Sequence, residues 1–139
     1  MPHLRAWLLA LLAFGMAGTA LELLLLAHFE NRWQLVPLVL IAAAFGVIGW
    51  HLARRDTVSL RALQATMALF IAAGAAGTWL HYHGAAEFQL EIDASQRGWT
   101  LMKKVMTAKA PPVLAPGVMM QLGWLGLLYT FRHPDWEKT

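Results

Sequence analysis

Apolar residues run almost unbroken from Leu4 to Ala27, with Glu22 the one ionisable position after Arg5. As a helix rising 1.5 Å per residue, that stretch is long enough to cross about 30 Å of hydrocarbon. A polar turn follows from His28 to Gln34, where Trp33 suits a membrane interface. Pro37 is placed for the first turn of a second helix, where its missing N–H costs nothing. Further apolar stretches cover 36–53, 60–82 and 113–131, the last introduced by Pro111, Pro112 and Pro116. The pattern predicts an all-α fold, a transmembrane four-helix bundle. It forms a single integral membrane domain over 1–139, with spans at about 4–27, 36–53, 60–82 and 113–131 and an extramembrane loop at 83–112. A cleaved signal peptide is the rival reading of the first stretch, with His3 and Arg5 as its basic start and 18–20 as its cleavage site. The apolar run continues past that site to Leu26, which is long for such a segment and favours a span.

Inside the loop, Glu87 to Ile92 alternates weakly and is expected to be extended. Ser95 is placed to cap a short helix reaching about Lys109, with Gly98 as its weak point. Trp99, Met102, Val105 and Met106 share one face of that helix. An amphipathic helix on the outer membrane surface fits this spacing, and so does a lid over the mouth of the bundle.

The apolar pattern also repeats. Gly15, Gly18, Thr19 and Leu21 align with Gly74, Gly77, Thr78 and Leu80. In the same register Glu22 falls on His81, and Ala27, His28 and Phe29 fall on Ala86, Glu87 and Phe88. Ionisable positions thus meet ionisable positions, with His and Glu exchanged. A fainter match sets Pro37, Val39, Leu40, Gly49 and Trp50 on Pro111, Val113, Leu114, Gly123 and Trp124. Two tandem helical hairpins related by a pseudo-two-fold along the membrane normal would produce this, with the surface helix as the insertion between them. Chance similarity between glycine-bearing apolar helices is the alternative. Each span carries glycines three apart, at 15 and 18, 46 and 49, 74 and 77, and 123 and 126. Small residues let helices approach closely in lipid, within the bundle or against a homo-oligomer partner or a larger membrane complex.

Composition agrees with the bilayer as principal partner. Apolar residues make up 58% of the chain and charged residues 14%, against about 25% charged in soluble domains. The net charge of +3 comes without a basic stripe interleaved with aromatics, so nucleic acid is not an expected partner. The absence of cysteine excludes disulfides and thiolate metal sites. Arg54, Arg55 and Arg61 lie in or beside the second connection, against Arg32 in the first. The positive-inside bias then puts both termini in the cytoplasm, consistent with Arg5, Arg132 and Lys138, and the first and third loops in the periplasm.

That orientation gathers His28, Glu30, His81, His83, Glu87, Glu91 and Asp93 at the periplasmic face. Glu22 lies inside a span, where a charge costs at least ~2.5 kcal/mol, so it should face the interior and have a partner. His81 sits at the matching depth. His with carboxylate is the ligand set of zinc, iron and manganese, and helical bundles hold such metals between facing side chains. The candidate metal ligands are Glu22, His28, His81, His83 and Glu87, with Glu30 or His83 as acid/base groups. Residues six apart on one helix point about 240° apart, so Glu22 and His28 need a break between them to share an ion. Gly84 offers such a break in the second copy, and nothing at Leu25 does so in the first. Structural hydrogen bonding across helices and a proton or ion path compete with the metal reading. So does a b-type heme on His28 with His81 or His83, which the surrounding carboxylates disfavour. His51 and His133, near the cytoplasmic face with no acidic cluster, are expected to be interfacial. No hydrolase or phosphate-loop signature is present.

The segments LELLLLAHFENRWQLVPLVL, HYHGAAEFQLE and APPVLAPGVMMQLGWLGLLYTFRHP together resemble a family of small, uncharacterised four-span bacterial membrane proteins. The resemblance implies four spans and no established activity. It draws attention to Glu22, His28, Glu30, Gln34, Pro37, His81, Glu87 and Glu91, and to the run at 115–117. Family members often carry Gly-Asn where this chain has Ala85 and Ala86, so any role of that Asn is missing here. The expected function is metal binding at the periplasmic end of an inner-membrane bundle. A non-catalytic accessory subunit of a membrane complex and a small transporter are the alternatives.

Overall fold

The computed structural model describes residues 2–108 and 112–137. Lys109, Pro111 and Lys138, which entered the expectations above, lie outside the described residues. The chain forms α1 (Pro2–Leu25), α2 (Arg32–Arg54), α3 (Thr57–Ile92), α4 (Gly98–Met106), α5 (Gly117–Thr130) and a terminal 3₁₀ turn (Pro134–Glu137). The fold is all-α, with no strand among the described residues. The first three helices are long and apolar enough to cross a membrane. Within the expected 113–131 span, α5 is a helix of 14 residues preceded by turns.

Several helix ends differ from expectation for local reasons. α1 stops at Leu25 without glycine or proline. Ala27 turns left-handed at φ 51°, the Ala27 N–H bonds Leu24 O at 3.1 Å, and the His28 N–H bonds Leu23 O at 2.8 Å. This is a Schellman ending with alanine where glycine is usual. α2 starts at Arg32 because Asn31 and Gln34 form a capping box. Asn31 Oδ1 accepts from the Trp33 and Gln34 N–H groups, and Gln34 Oε1 accepts from the Asn31 N–H. Pro37 therefore lies inside the helix rather than in its first turn.

The break expected at Gly84 and the extended 87–92 segment are both replaced by continuous helix to Ile92. One glycine costs a helix only about 1 kcal/mol. Ala85 beside it packs with Val105 and Val113, which favours continuing. Ser95 caps no helix. Its N–H and hydroxyl both bond Asp93 Oδ1, at 3.0 and 2.6 Å. α4 instead begins after Arg97, which makes no side-chain cap. Val105 is fully buried against α3 while Trp99 is 72% exposed, so α4 lies along the outer part of α3.

α3 packs against α2 and α5, and α1 packs against α2 and α5. Leu12, Met16, Leu63, Met67 and Phe70 fill the shared core. The closest approach is between α3 and α5. A Cβ on Gly123 would stand 2.7 Å from the Met67 carbonyl oxygen, and one on Gly74 would stand 2.8 Å from the Met120 amide nitrogen. Gly15 faces Leu122 and Gly77 faces Pro116, whereas Gly18, Gly46 and Gly49 face open space. The aligned threonines behave alike: Thr19 donates to Gly15 O and Thr78 to Gly74 O, both at 2.9 Å.

Candidate functional site

The five candidate ligands do not converge. Glu22 is exposed on α1, and no hydrogen bond or ion pair engages its carboxylate among the described residues. The expected inward orientation with a partner is thus corrected. Glu22 lies about one turn from the end of α1, where the penalty for a charge at the helix centre does not apply. His83 is exposed and lies against Trp79, with ring centroids 4.1 Å apart. Glu87 is exposed one turn further along α3. Glu30 is exposed as well, its N–H held by Gln34 Oε1 at 2.8 Å.

His28 and His81 do meet. Their ring centroids are 6.3 Å apart, brought together because the Schellman ending carries His28 back over α3. His81 Nδ1 donates to the Pro112 carbonyl at 3.2 Å, which leaves its Nε2 lone pair free. Burial and, secondarily, the His81 ring lower the His28 pKa below the ordinary histidine value. In the unfolded chain His28 takes its proton near pH 6.5, while in the folded chain it does so at lower pH. Folding therefore loses stability as pH falls through that window, because the unfolded state binds the proton first. We expect NMR titration to place His28 below a free histidine, and His81→Ala to move it part of the way back. An unshifted His28 would sink this pairing.

At the other end of the helices the structure assembles a site that the sequence pattern did not reveal. The positions expected to be interfacial, His51 and His133, are 1% and 8% exposed, and Asp135 is 3% exposed. Their construction starts at the cap of α3. Asp56 Oδ1 accepts from the Ser59 N–H at 2.8 Å, and the Ser59 hydroxyl donates to the Asp56 carbonyl at 3.0 Å. These Ser59 bonds, with help from Arg54, hold the Asp56 carboxyl below its usual range. The one hydroxyl proton of Ser59 being committed, its oxygen accepts from His51 Nδ1 at 3.1 Å. The His51 proton is therefore on Nδ1, and the Nε2 lone pair accepts from the Tyr129 hydroxyl at 3.1 Å.

The C-terminal segment closes the site. Thr57 Oγ1 donates to the Asp135 and Trp136 carbonyls, and Trp136 Nε1 donates to Thr130 O at 2.8 Å. This brings Asp135 Oδ2 to 3.8 Å from His51 Nε2 and 3.5 Å from His133 Nδ1. The Asp135 N–H also donates to His133 Nδ1 at 3.2 Å. One ligand atom from each of His51, His133 and Asp135 lies within 4.8 Å of the others. Metal–ligand bonds of 2.0–2.1 Å in a tetrahedron set ligand atoms roughly 3.3–3.5 Å apart. Two of the three edges, at 3.5 and 3.8 Å, are close to that already. The donor set suits zinc, iron or manganese. Ser59 orients His51 from behind, as outer partners of metal-bound histidines do. No family model, no curated protein and no solved structure matches the chain.

Proposed function

We propose that this chain is a four-span protein of the bacterial inner membrane, both termini cytoplasmic, that holds one divalent transition metal at His51, His133 and Asp135. The carrying observation is the convergence of two imidazoles and a carboxylate in a buried setting. The three long apolar helices support the membrane setting, and the fourth crossing is read from the apolar run at 113–131, of which α5 covers 14 residues. Arg54, Arg55 and Arg61 beside the α2–α3 connection support a cytoplasmic position for this end. A dication here balances the buried carboxylate and clamps the α2–α3 connection to the end of α5. The three protein ligands are buried and leave a fourth position on a tetrahedral ion, with the Tyr129 hydroxyl 3.1 Å from His51 Nε2.

A second reading rests on the approach of His28 to His81. That pair offers two ligands at the periplasmic end for a metal or a b-type heme.

The test is elemental analysis and a visible spectrum of the full chain purified in detergent without chelator. We expect about one zinc, iron or manganese per chain, lost in Asp135→Asn combined with His133→Ala and kept in His28→Ala combined with His81→Ala. Metal lost only from the second pair would move the site to the periplasmic end. A Soret band would make the ligand heme. Metal-free protein with copurifying partners would favour an accessory subunit, docked through the open Gly18, Gly46 and Gly49 positions.

A further inference from the structure

We infer that the cleft between the start of α1 and the end of α5 binds an anionic phospholipid of the cytoplasmic leaflet. Its phosphate is held by Arg5 and Arg132, and an acyl chain lies along Leu4, Leu8 and Leu128. The inference rests on the membrane orientation proposed above and is independent of the metal.

Arg5 reaches from α1 to the end of α5, where its Nη2 donates to Arg132 O at 2.7 Å and reaches Phe131 O at 3.5 Å. Arg132 follows in a left-handed conformation, φ 48°, with its guanidinium carbon 5.3 Å from the centroid of the Phe131 ring. Two cations thereby line one cleft, one fastened to the other's backbone. Among the described residues neither has a carboxylate within ion-pair distance, and Asp135 is occupied with His51 and His133. Adjacent like charges at a membrane surface attract an anion, and phospholipid phosphate is the abundant one there.

The cleft beneath them is about 380 Å³, and its walls apart from the two arginines are Leu4, Leu8, Leu128 and Phe131. Leu4, Leu128 and Phe131 are 55%, 56% and 62% exposed, so an apolar occupant would cover them. A free phosphate satisfies the arginines and leaves the apolar walls bare. An uncharged acyl chain does the reverse. A phospholipid with net negative charge satisfies both.

The experiment is native mass spectrometry of the full chain with phosphatidylglycerol or phosphatidylcholine of matched chains, and with glycerol phosphate as a chainless competitor. We expect one retained phosphatidylglycerol, preferred about tenfold or more over phosphatidylcholine. Arg132→Gln should abolish the preference, and it leaves intact the carbonyl that Arg5 uses. Leu8→Trp should reduce retention by filling the cleft while sparing both charges. Equal retention of the two lipids, an unchanged Arg132→Gln variant, or displacement by glycerol phosphate would each overturn the lipid site. Metal content of the same sample separates the two claims, since metal-free protein that keeps the lipid preference refutes the metal alone. The chain has no native cysteine, so Val58→Cys can be labelled cleanly. Labelling only from the periplasm would overturn the leaflet assignment.

Discussion

Replacing His51 by alanine is expected to cost about 3–5 kcal/mol of stability, the most of any single polar substitution in this chain. The ring is fully enclosed and serves both sides at once. Nδ1 holds Ser59 on the first turn of α3, and Nε2 holds Tyr129 on α5 with Asp135 at 3.8 Å. Alanine leaves the Tyr129 hydroxyl without its acceptor and the Ser59 oxygen without its donor, inside a packed interior. Each orphaned buried group costs roughly 1–3 kcal/mol, and the emptied volume adds to that. Tyr129→Phe should cost only about 1 kcal/mol, because it removes one hydrogen bond and leaves the ring in place. The check is denaturant titration of the detergent-solubilised chain, with and without chelator. A His51→Ala variant within about 0.5 kcal/mol of the parent would show that the network carries no weight.

The long apolar helices were legible because their composition and length leave little choice in lipid. Their ends were less so. Asn31 and Gln34 form a capping box whose residue types can be read directly, and they set the start of α2 ahead of Pro37. The end of α1 carries no such signal, since Ala27 adopts a conformation that alanine seldom takes. α3 ran on because Gly84 is a weak breaker and Ala85 is buried by α4, a contact distant in sequence. The site was hidden for the same reason. His51 and Tyr129 are 78 positions apart, and neither has a companion nearby that marks it as a ligand. The Asp56–Ser59 cap was readable, but that Ser59 then orients a histidine across the α2–α3 connection follows only from packing. Conversely, the heme reading paired His28 with His81, which do lie side by side, while the repeat set Glu22 beside His81 in a partnership the helix geometry does not provide.

Gly123→Leu is expected to prevent recovery of folded protein, or to lower stability by more than about 3 kcal/mol, beyond ordinary overpacking. At this position the backbones of α3 and α5 touch. The first added carbon would already lie 2.7 Å from the Met67 carbonyl oxygen and 3.1 Å from the Ile71 amide nitrogen. Neither atom can rotate away, so the helices must part. Parting them is costly in lipid, where no hydrophobic drive returns the separated surfaces and close packing is the main attraction. Gly46→Leu and Gly49→Leu are the matched controls, because both positions face open space. They should retain the fold to within about 1 kcal/mol. If either changes the size of the detergent-solubilised particle while the fold survives, that α2 face contacts another subunit. If Gly123→Leu matches the parent in thermal melting, the α3–α5 approach does not hold this protein together.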